Sequence, residues 1–124
     1  MTKRILVVED QEDLRGVLRD LFASSGYTVI EAVDGATGIA MAKSDRPSII
    51  LVDIQMPVID GYEATRQIKA DPDLTSIPIV AVSSFAMKGD EEKARAAGCD
   101  EYVTKPYSPI QLLRMVRGYL VKNG

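Results

Sequence analysis

Acidic residues directly follow two short apolar runs of this sequence. Glu9 and Asp10 come after residues 5–8, and Asp53 comes after residues 49–52. A carboxylate at the end of a buried run has to reach a surface or a site, because burying an unpaired charge is too unfavourable. These three acids are therefore candidates for metal binding, and Asp53 is also a candidate nucleophile.

Two more runs of the sequence, one of them apolar and the other a predicted short strand, end close to polar residues that suit the same kind of site. Ser83 follows residues 78–82, and Lys105 closely follows residues 99–103. If all four runs are parallel strands of one sheet, their carboxyl ends share the edge at which ligands bind. Each group alone has an ordinary explanation, such as a helix-terminal acid, a strand-ending cap or a solvated lysine. Their joint occurrence at four strand ends favours a site.

The three acids predict a cation beside them. Two carboxylates ~4 Å apart repel by roughly 1 kcal/mol in water and about 4 kcal/mol at an effective dielectric constant of ~20, so a proton or a cation must relieve the cluster. The chain has no histidine and one cysteine, Cys99. Hard oxygen ligands select Mg²⁺ or Mn²⁺ over zinc, and Mg²⁺ also takes phosphate oxygens. With a lysine and a serine for the other phosphoryl oxygens, we interpret the cluster as a phosphoryl-group site.

The elements that would position these groups alternate regularly. Strands are predicted at residues 5–8, 27–30, 48–52, 78–82 and 99–103. Helical periodicity or helix boundary signals occupy residues 14–22, 35–43, 60–71, 87–97 and 108–120. Five strand–helix repeats call for parallel strands with helices on both faces and right-handed crossovers. We predict a doubly wound α/β sheet in the order 2-1-3-4-5, which is taken from the common arrangement of such sheets.

The helix pattern also predicts which residues face the core. Leu14, Val17, Leu18, Leu21 and Phe22 recur at helical spacing in the first helix. The second helix is expected to begin after an Asp34 N-cap and to pack through small residues and one larger one, Ala36, Ile39 and Ala40.

Composition excludes several classes of protein. The chain has 124 residues, of which 46% are hydrophobic and 27% charged, as in one globular domain. A net charge of −3 argues against a nucleic-acid binder that works by bulk charge. No apolar run approaches the ~20 residues that cross a bilayer, so no membrane partner is expected. Cys99 is expected in the core and fits a reducing, cytoplasmic setting.

Several motifs of the chain occur together in one known family. They are Glu9-Asp10, Asp53-x-x-Met56-Pro57-x-x-Asp60-Gly61, Ser83 and Lys105-Pro106. Over the whole chain, this set resembles the receiver domain of two-component response regulators, the CheY-like family. Residues 84–92, with Gly98-Cys99, further resemble single-domain regulators of the DivK type. The resemblance implies a flavodoxin-like (βα)5 fold, and a single receiver domain without an effector domain is expected over residues 1–124.

The resemblance also implies a role for each acid. Asp53 would accept a phosphoryl group from a phosphohistidine. Glu9 and Asp10 would hold Mg²⁺ together with Asp53 and the backbone carbonyl of Gln55. Because the chain lacks histidine, the donor must be another molecule, either a sensor histidine kinase or a histidine phosphotransfer protein. The chain would be a signalling protein rather than an enzyme, with slow autodephosphorylation at its own aspartate.

The remaining motif residues would read out the modification. Lys105 would pair with the phosphoryl oxygens, and Ser83 would donate to them. Tyr102 matches the aromatic position that turns inward when Ser83 moves, and Pro106 would follow a cis peptide bond. The surface of the fourth helix, fifth strand and fifth helix would then bind a downstream partner or a second copy of the chain.

Three other functions are weighed against this one. A magnesium-dependent phosphatase of the haloacid-dehalogenase type needs a second aspartate where Gln55 stands. A flavin-binding domain of flavodoxin shape needs a phosphate loop after the first strand, but residues 9–13 include four acids that would repel phosphate. An interaction module of the same fold would not need phosphorylation, and the complete set of acids with Ser83 and Lys105 argues against it.

Overall fold

Five strands and five helices alternate along the part of the chain that the computed structural model describes, residues 3–84 and 89–122. The strands are β1 (Arg4–Val8), β2 (Thr28–Ala32), β3 (Ile49–Asp53), β4 (Ile79–Ser83) and β5 (Glu101–Thr104). The helices are α1 (Glu12–Ala23), α2 (Gly35–Asp45), α3 (Gly61–Ala70), α4 (Asp90–Ala97) and α5 (Pro109–Lys122). Among the described residues, no helix has both the length and the apolar character that a bilayer span requires.

The strands form one parallel sheet in the order β2-β1-β3-β4-β5, which confirms the predicted topology. The register brings the strand ends to the same level. Val8 lies beside Val52, and Ser83 lies beside Thr104. The residues that follow these ends therefore meet at one edge of the sheet, which we call the carboxyl edge.

Both faces of the sheet are covered, which explains the continuous apolar runs of the strands. On one face, Ile5, Ile49 and Val80 pack with residues of α1 and α5 such as Phe22 and Val116. The other face packs in a separate cluster with α2, α3 and α4. Side chains of one strand alternate between the two clusters, so a strand of only five residues is fixed in register from both sides.

The structure corrects several details of the predicted packing. Val17 is 53% exposed, so it does not belong to the packed face of α1. Ala36 and Ala40 are also exposed, and α2 packs instead through the residues Gly35, Gly38, Ile39 and Ala42. A Cβ atom on Gly38 would lie 2.9 Å from the Val8 side chain, so glycine lets α2 approach β1 closely.

Helix and strand boundaries differ slightly from the prediction. Strand β5 begins at Glu101 because the backbone of Cys99 still bonds to Ala94 at the end of α4. Residues 87 and 88, where the fourth helix was predicted to begin, lie outside the described residues. The Asp34 N-cap is confirmed, since its carboxylate accepts the N–H of Thr37 at 2.7 Å.

Candidate functional site

Three carboxylates meet at the carboxyl edge. Glu9 follows β1, with its N–H bonded to the carbonyl of Ala32 on β2, and its side chain is buried. Asp53 ends β3 and is also buried, whereas Asp10 is exposed at the rim. One oxygen from each of Glu9, Asp10 and Asp53 lies within 4.8 Å of the others. The predicted acids therefore form one cluster of hard oxygen donors.

Lys105 faces the two buried acids. Its Nζ lies 3.3 Å from Oε1 of Glu9 and 3.4 Å from Oδ2 of Asp53. Its own N–H donates to the carbonyl of Ser83 at 2.7 Å, which ties the segment after β5 to the end of β4. The Lys105–Pro106 peptide bond is cis, as the resemblance implies. One ammonium against three carboxylates leaves the edge with excess negative charge when all of them are ionised.

Burial and the neighbouring Asp53 carboxylate both affect the pKa of Glu9. Burial raises the pKa of Glu9 to about 7, and the hydrogen bond and charge of Asp53 act in the same direction. The backbone N–H of Gln11 and the charge of Lys105 oppose this shift. In the absence of a cation, a proton on Glu9 thus relieves part of the repulsion between the carboxylates. A bound divalent ion would relieve the same repulsion while Glu9 stays ionised.

The loop after β3 is shaped by close contacts. Asp60 caps α3 by accepting the N–H of Glu63 at 2.9 Å. A Cβ atom on Gly61 would lie 2.6 Å from the carbonyl oxygen of Asp53, so only glycine allows α3 to begin this close to the strand end. The Asp60-Gly61 motif therefore holds the loop against the end of β3, where it supports Asp53.

Gln55 takes part through its side chain as well as its backbone. Its N–H donates to Oδ1 of Asp53 at 3.0 Å. Its Nε2 donates to Oγ of Ser83 at 2.7 Å, and its Oε1 accepts the N–H of Ser84 at 2.9 Å. The sequence had pointed only to the backbone carbonyl of Gln55, because nothing in a residue type indicates where a long amide side chain will bond.

Arg15 is a second neighbour of the site that sequence reasoning missed. The helical periodicity of α1 places Arg15 away from the apolar positions, on the side expected to face solvent, but its side chain is only 14% exposed. It donates to the carbonyl of Glu9 at 3.0 Å and to the carboxylate of Glu31 at 3.1 Å. Arg15 therefore holds the backbone at the end of β1. The helical spacing of α1 does not indicate this contact, because the partners of Arg15 lie on other elements.

Tyr102 is placed apart from the acids. It is half-buried on β5, beside Ala81 of β4, and packs against the core on the face of α3 and α4. Ser83 lies two residues beyond Ala81 on the same strand. The structure thus places Tyr102 near the strand that carries Ser83, while Glu9, Asp53 and Lys105 are in direct contact.

Comparison with known proteins identifies the class of protein that this fold and site define. The family described as response regulator receiver domain matches residues 5–117. The chain belongs to this family and is a receiver domain of a two-component response regulator. Within the family it is similar to the polar-differentiation response regulator DivK of Brucella ovis, with 42% identity over 120 residues, which cover 97% of this chain and 98% of that protein.

Solved structures agree with this assignment. The receiver domain of the sensor histidine kinase PA1611 from Pseudomonas aeruginosa, which has a magnesium ion coordinated in its active-site cleft, superimposes with a TM-score of 0.89 at 34% identity. That comparison covers 97% of this chain and 98% of the other. The chemotaxis protein CheY4 of Vibrio cholerae gives a TM-score of 0.90 at 24% identity, over 96% of this chain and 99% of that one, which shows the shared fold.

Proposed function

We propose that Asp53 accepts a phosphoryl group from a phosphohistidine on a sensor histidine kinase or a histidine phosphotransfer protein. The observation that carries this proposal is the position of the Asp53 carboxylate, buried at the carboxyl edge between an ammonium and a backbone N–H. An ammonium and a backbone N–H on one carboxylate hold it in a fixed position, which an oxygen nucleophile requires. The 124 residues contain no histidine, so they do not supply the phosphodonor themselves.

The transfer exchanges one bond to phosphorus for another. An oxygen of Asp53 forms a bond to phosphorus while the N–P bond of the phosphohistidine breaks. The electron pair of that bond returns to the imidazole, which takes a proton. Such transfers depend mainly on positioning and on charge stabilisation. Lys105 could form an ion pair with the phosphoryl oxygens, because its Nζ lies 3.4 Å from Oδ2 of Asp53.

Mg²⁺ fits the cluster of oxygen donors. Glu9, Asp10 and Asp53 would hold it, with the backbone carbonyl of Gln55 as a further ligand. The fit rests on three carboxylate oxygens within 4.8 Å of one another and on the negative charge that Lys105 leaves unbalanced. When bound, the ion would supply positive charge to the phosphoryl oxygens. The magnesium reported in the related receiver domain of PA1611 supports this choice of metal.

Phosphorylation would then act on the rest of the fold through β4. The modification adds roughly −1.5 to −2 charges. The hydroxyl of Ser83 would donate a hydrogen bond to the phosphoryl group, and Tyr102 on the neighbouring strand would turn inward when Ser83 moves. We assign the output to the surface formed by α4, β5 and α5, which would bind a downstream protein or a second copy of the chain. Slow hydrolysis of the aspartyl phosphate at the same site would end the signal, and the exchange would take place in the cytoplasm.

Beryllofluoride, a mimic of an acyl phosphate, tests this proposal. With Mg²⁺ it should bind the wild-type protein, and Asp53→Asn should abolish binding. The matched control is Asp73→Asn, a change of the same chemistry at an aspartate whose side chain is 70% exposed and which pairs with Arg46. Binding that persists in Asp53→Asn would rule out Asp53 as the acceptor. Transfer of radiolabelled phosphate from a phosphorylated histidine phosphotransfer protein should follow the same pattern.

A further inference from the structure

The Gln55 side chain replaces a missing hydrogen bond between β3 and β4. The N–H of Ile54 donates to the carbonyl of Val82 at 3.0 Å, so a regular parallel ladder would next join the N–H of Ser84 to the carbonyl of Ile54. That carbonyl instead accepts the N–H of Gly61 at 3.1 Å. The N–H of Ser84 donates to Oε1 of Gln55 at 2.9 Å. The end of β4 is therefore held by a side chain, which can be displaced.

The same amide also holds the hydroxyl of Ser83. Because a backbone N–H can only donate, the Gln55 oxygen must face Ser84 and its nitrogen must face Ser83, whose Oγ lies 2.7 Å away. The backbone N–H of Gln55 meanwhile bonds to Oδ1 of Asp53. One residue thus contacts the candidate phosphoryl acceptor with its backbone and the end of β4 with its side chain.

We propose that the Gln55 side chain competes with the phosphoryl group for the N–H of Ser84, holds the hydroxyl of Ser83 in place by donating to it, and so restrains the switch in the unphosphorylated protein. This inference rests on the proposed function of Asp53. Phosphoryl oxygens at Asp53 need donors, and the hydroxyl of Ser83 and the N–H of Ser84 lie at the same edge. At Ser84 a charged phosphoryl oxygen is a stronger acceptor than the neutral amide oxygen of Gln55, so the exchange of that N–H is favourable.

The hydrogen bonds of the Gln55 amide make the active conformation less favourable. The amide contacts of Gln55 must break before Ser83 and Ser84 can turn to the phosphoryl group. Their free energy is subtracted from the free energy with which phosphorylation favours the active conformation. Gln55 is therefore a positioning residue that sets how strongly the modification must act on Ser83 and Ser84. A purely structural role, in which Gln55 only completes the sheet, would make the protein less stable when Gln55 is removed and would not strengthen phosphoryl binding.

The substitution Gln55→Met separates the two roles. Methionine has a similar length but cannot form these hydrogen bonds. We expect Mg²⁺–beryllofluoride to bind Gln55→Met roughly five-fold more tightly than wild type, which corresponds to about one net hydrogen bond that no longer has to be exchanged. Gln67→Met, the same change on the exposed face of α3, should leave the affinity unchanged. Gln55→Leu provides a second variant should the methionine protein fail to fold.

A double-mutant cycle with Ser83→Ala then shows whether Gln55 acts through Ser83. In the Ser83→Ala background, the gain from Gln55→Met should shrink to less than about two-fold, because one of the two amide contacts is already gone. Equal or weaker binding by Gln55→Met and Gln55→Leu, or an undiminished gain in the Ser83→Ala background, would overturn the inference. Failure of the wild-type protein to bind the mimic would instead contradict the proposed function.

Discussion

Two lysines at opposite edges of the sheet show how a functional site differs from a structural contact. The side chains of Lys105 and Lys69 are each 17% exposed. Lys69 lies at the opposite edge of the sheet, where β4 and β5 begin, which we call the amino edge. It has three acceptors for its three protons: the carbonyls of Thr75 and Ile77, at 3.1 and 2.7 Å, and the carboxylate of Asp100, at 3.2 Å. Lys105 has two carboxylate contacts, at 3.3 and 3.4 Å.

The difference lies in the balance of charge. Lys69 meets one carboxylate, Asp100, which also accepts the N–H of Ile79 at 2.8 Å, so the charges of this pair balance and each proton of the ammonium has an acceptor. Lys105 meets two buried carboxylates with a third beside them, and its contacts are longer. A buried lysine therefore does not by itself mark a site. The unbalanced negative charge around Lys105 marks it, because a cation and a phosphoryl group would complete that edge.

The substitution Lys69→Met should reduce stability more than Lys105→Met does, whereas Lys105→Met should reduce binding more. Lys69→Met leaves two carbonyls without their donor and the Asp100 carboxylate without its cation, which should lower the free energy of unfolding by about 2–3 kcal/mol. Lys105→Met should lower it by less than about 1 kcal/mol, because a proton on Glu9 can replace part of the lost positive charge. Urea denaturation of both variants measures the difference.

For the affinity for Mg²⁺–beryllofluoride, Lys105→Met should have the larger effect and Lys69→Met the smaller one. A hydrogen bond to a charged group contributes about 1.5–3 kcal/mol, so Lys105→Met should lose at least ~10-fold in affinity. The Lys69→Met protein should bind the mimic as wild type does under conditions in which it remains folded. If both variants lost affinity to the same extent, the distinction between the two edges would be wrong.

The pH dependence of stability should also come from the carboxyl edge. The folded-state pKa of Glu9, about 7, lies above its ordinary value of 4.5. A carboxyl whose pKa is raised by folding contributes stability that is complete below about 4.5 and is lost as the pH rises through 7. Without metal, the free energy of unfolding should therefore increase by about 1 kcal/mol as the pH falls from 8 to 6.

The control for this effect is Glu9→Gln, which should flatten the dependence over the same interval. Saturating Mg²⁺ should reduce or reverse the slope, because a bound cation favours both ionised carboxylates. Denaturant titrations at several pH values, with chelator and with Mg²⁺, measure both effects. A metal-free wild-type protein whose stability did not change between pH 8 and 6 would contradict the burial of an ionisable Glu9 among negative charges.

The meeting of Glu9, Asp53 and Lys105 could be predicted from the sequence because each lies at or just after the end of a predicted strand. In a parallel sheet, the place where such a run stops fixes the edge at which the next residue lies. The contacts of the Gln55 amide and of Lys69 could not be predicted in this way. They depend on side-chain conformations and on loops whose paths are set by residues distant in sequence.

The packing of the first helix was predictable only in part for a related reason. Periodicity shows that Val17, Leu18 and Phe22 share one side of a helix, but not how wide a strip of that side its neighbours cover. Leu18 and Phe22 lie in the centre of the strip and are buried, whereas Val17 lies outside it. Arg15 is drawn inward because Glu31 and the carbonyl of Glu9 lie within its reach.

The smallest expected effect concerns backbone strain at the two edges. Among the described residues, Val58 and Arg46 are the non-glycine residues with positive φ, 67° and 46°. Val58 lies in the loop after Asp53 and is fully exposed, and a β-branched residue is especially unfavourable in this conformation. Arg46 ends α2, where the left-handed conformation is common. Val58→Gly should therefore stabilise the protein by about 1 kcal/mol, and Arg46→Gly by less than about 0.5 kcal/mol.

Thermal or urea unfolding measures both variants, and equal gains would show that β-branching does not determine the strain. Val58 makes the stronger test because it loses no packing when its exposed side chain is removed. Its position at the carboxyl edge adds a second measurement. If Val58→Gly stabilises the fold and leaves beryllofluoride affinity unchanged, the strain belongs to the loop alone. If the affinity falls, the strained loop helps to position Asp53, and the carboxyl edge differs from the amino edge in backbone conformation as well as in charge.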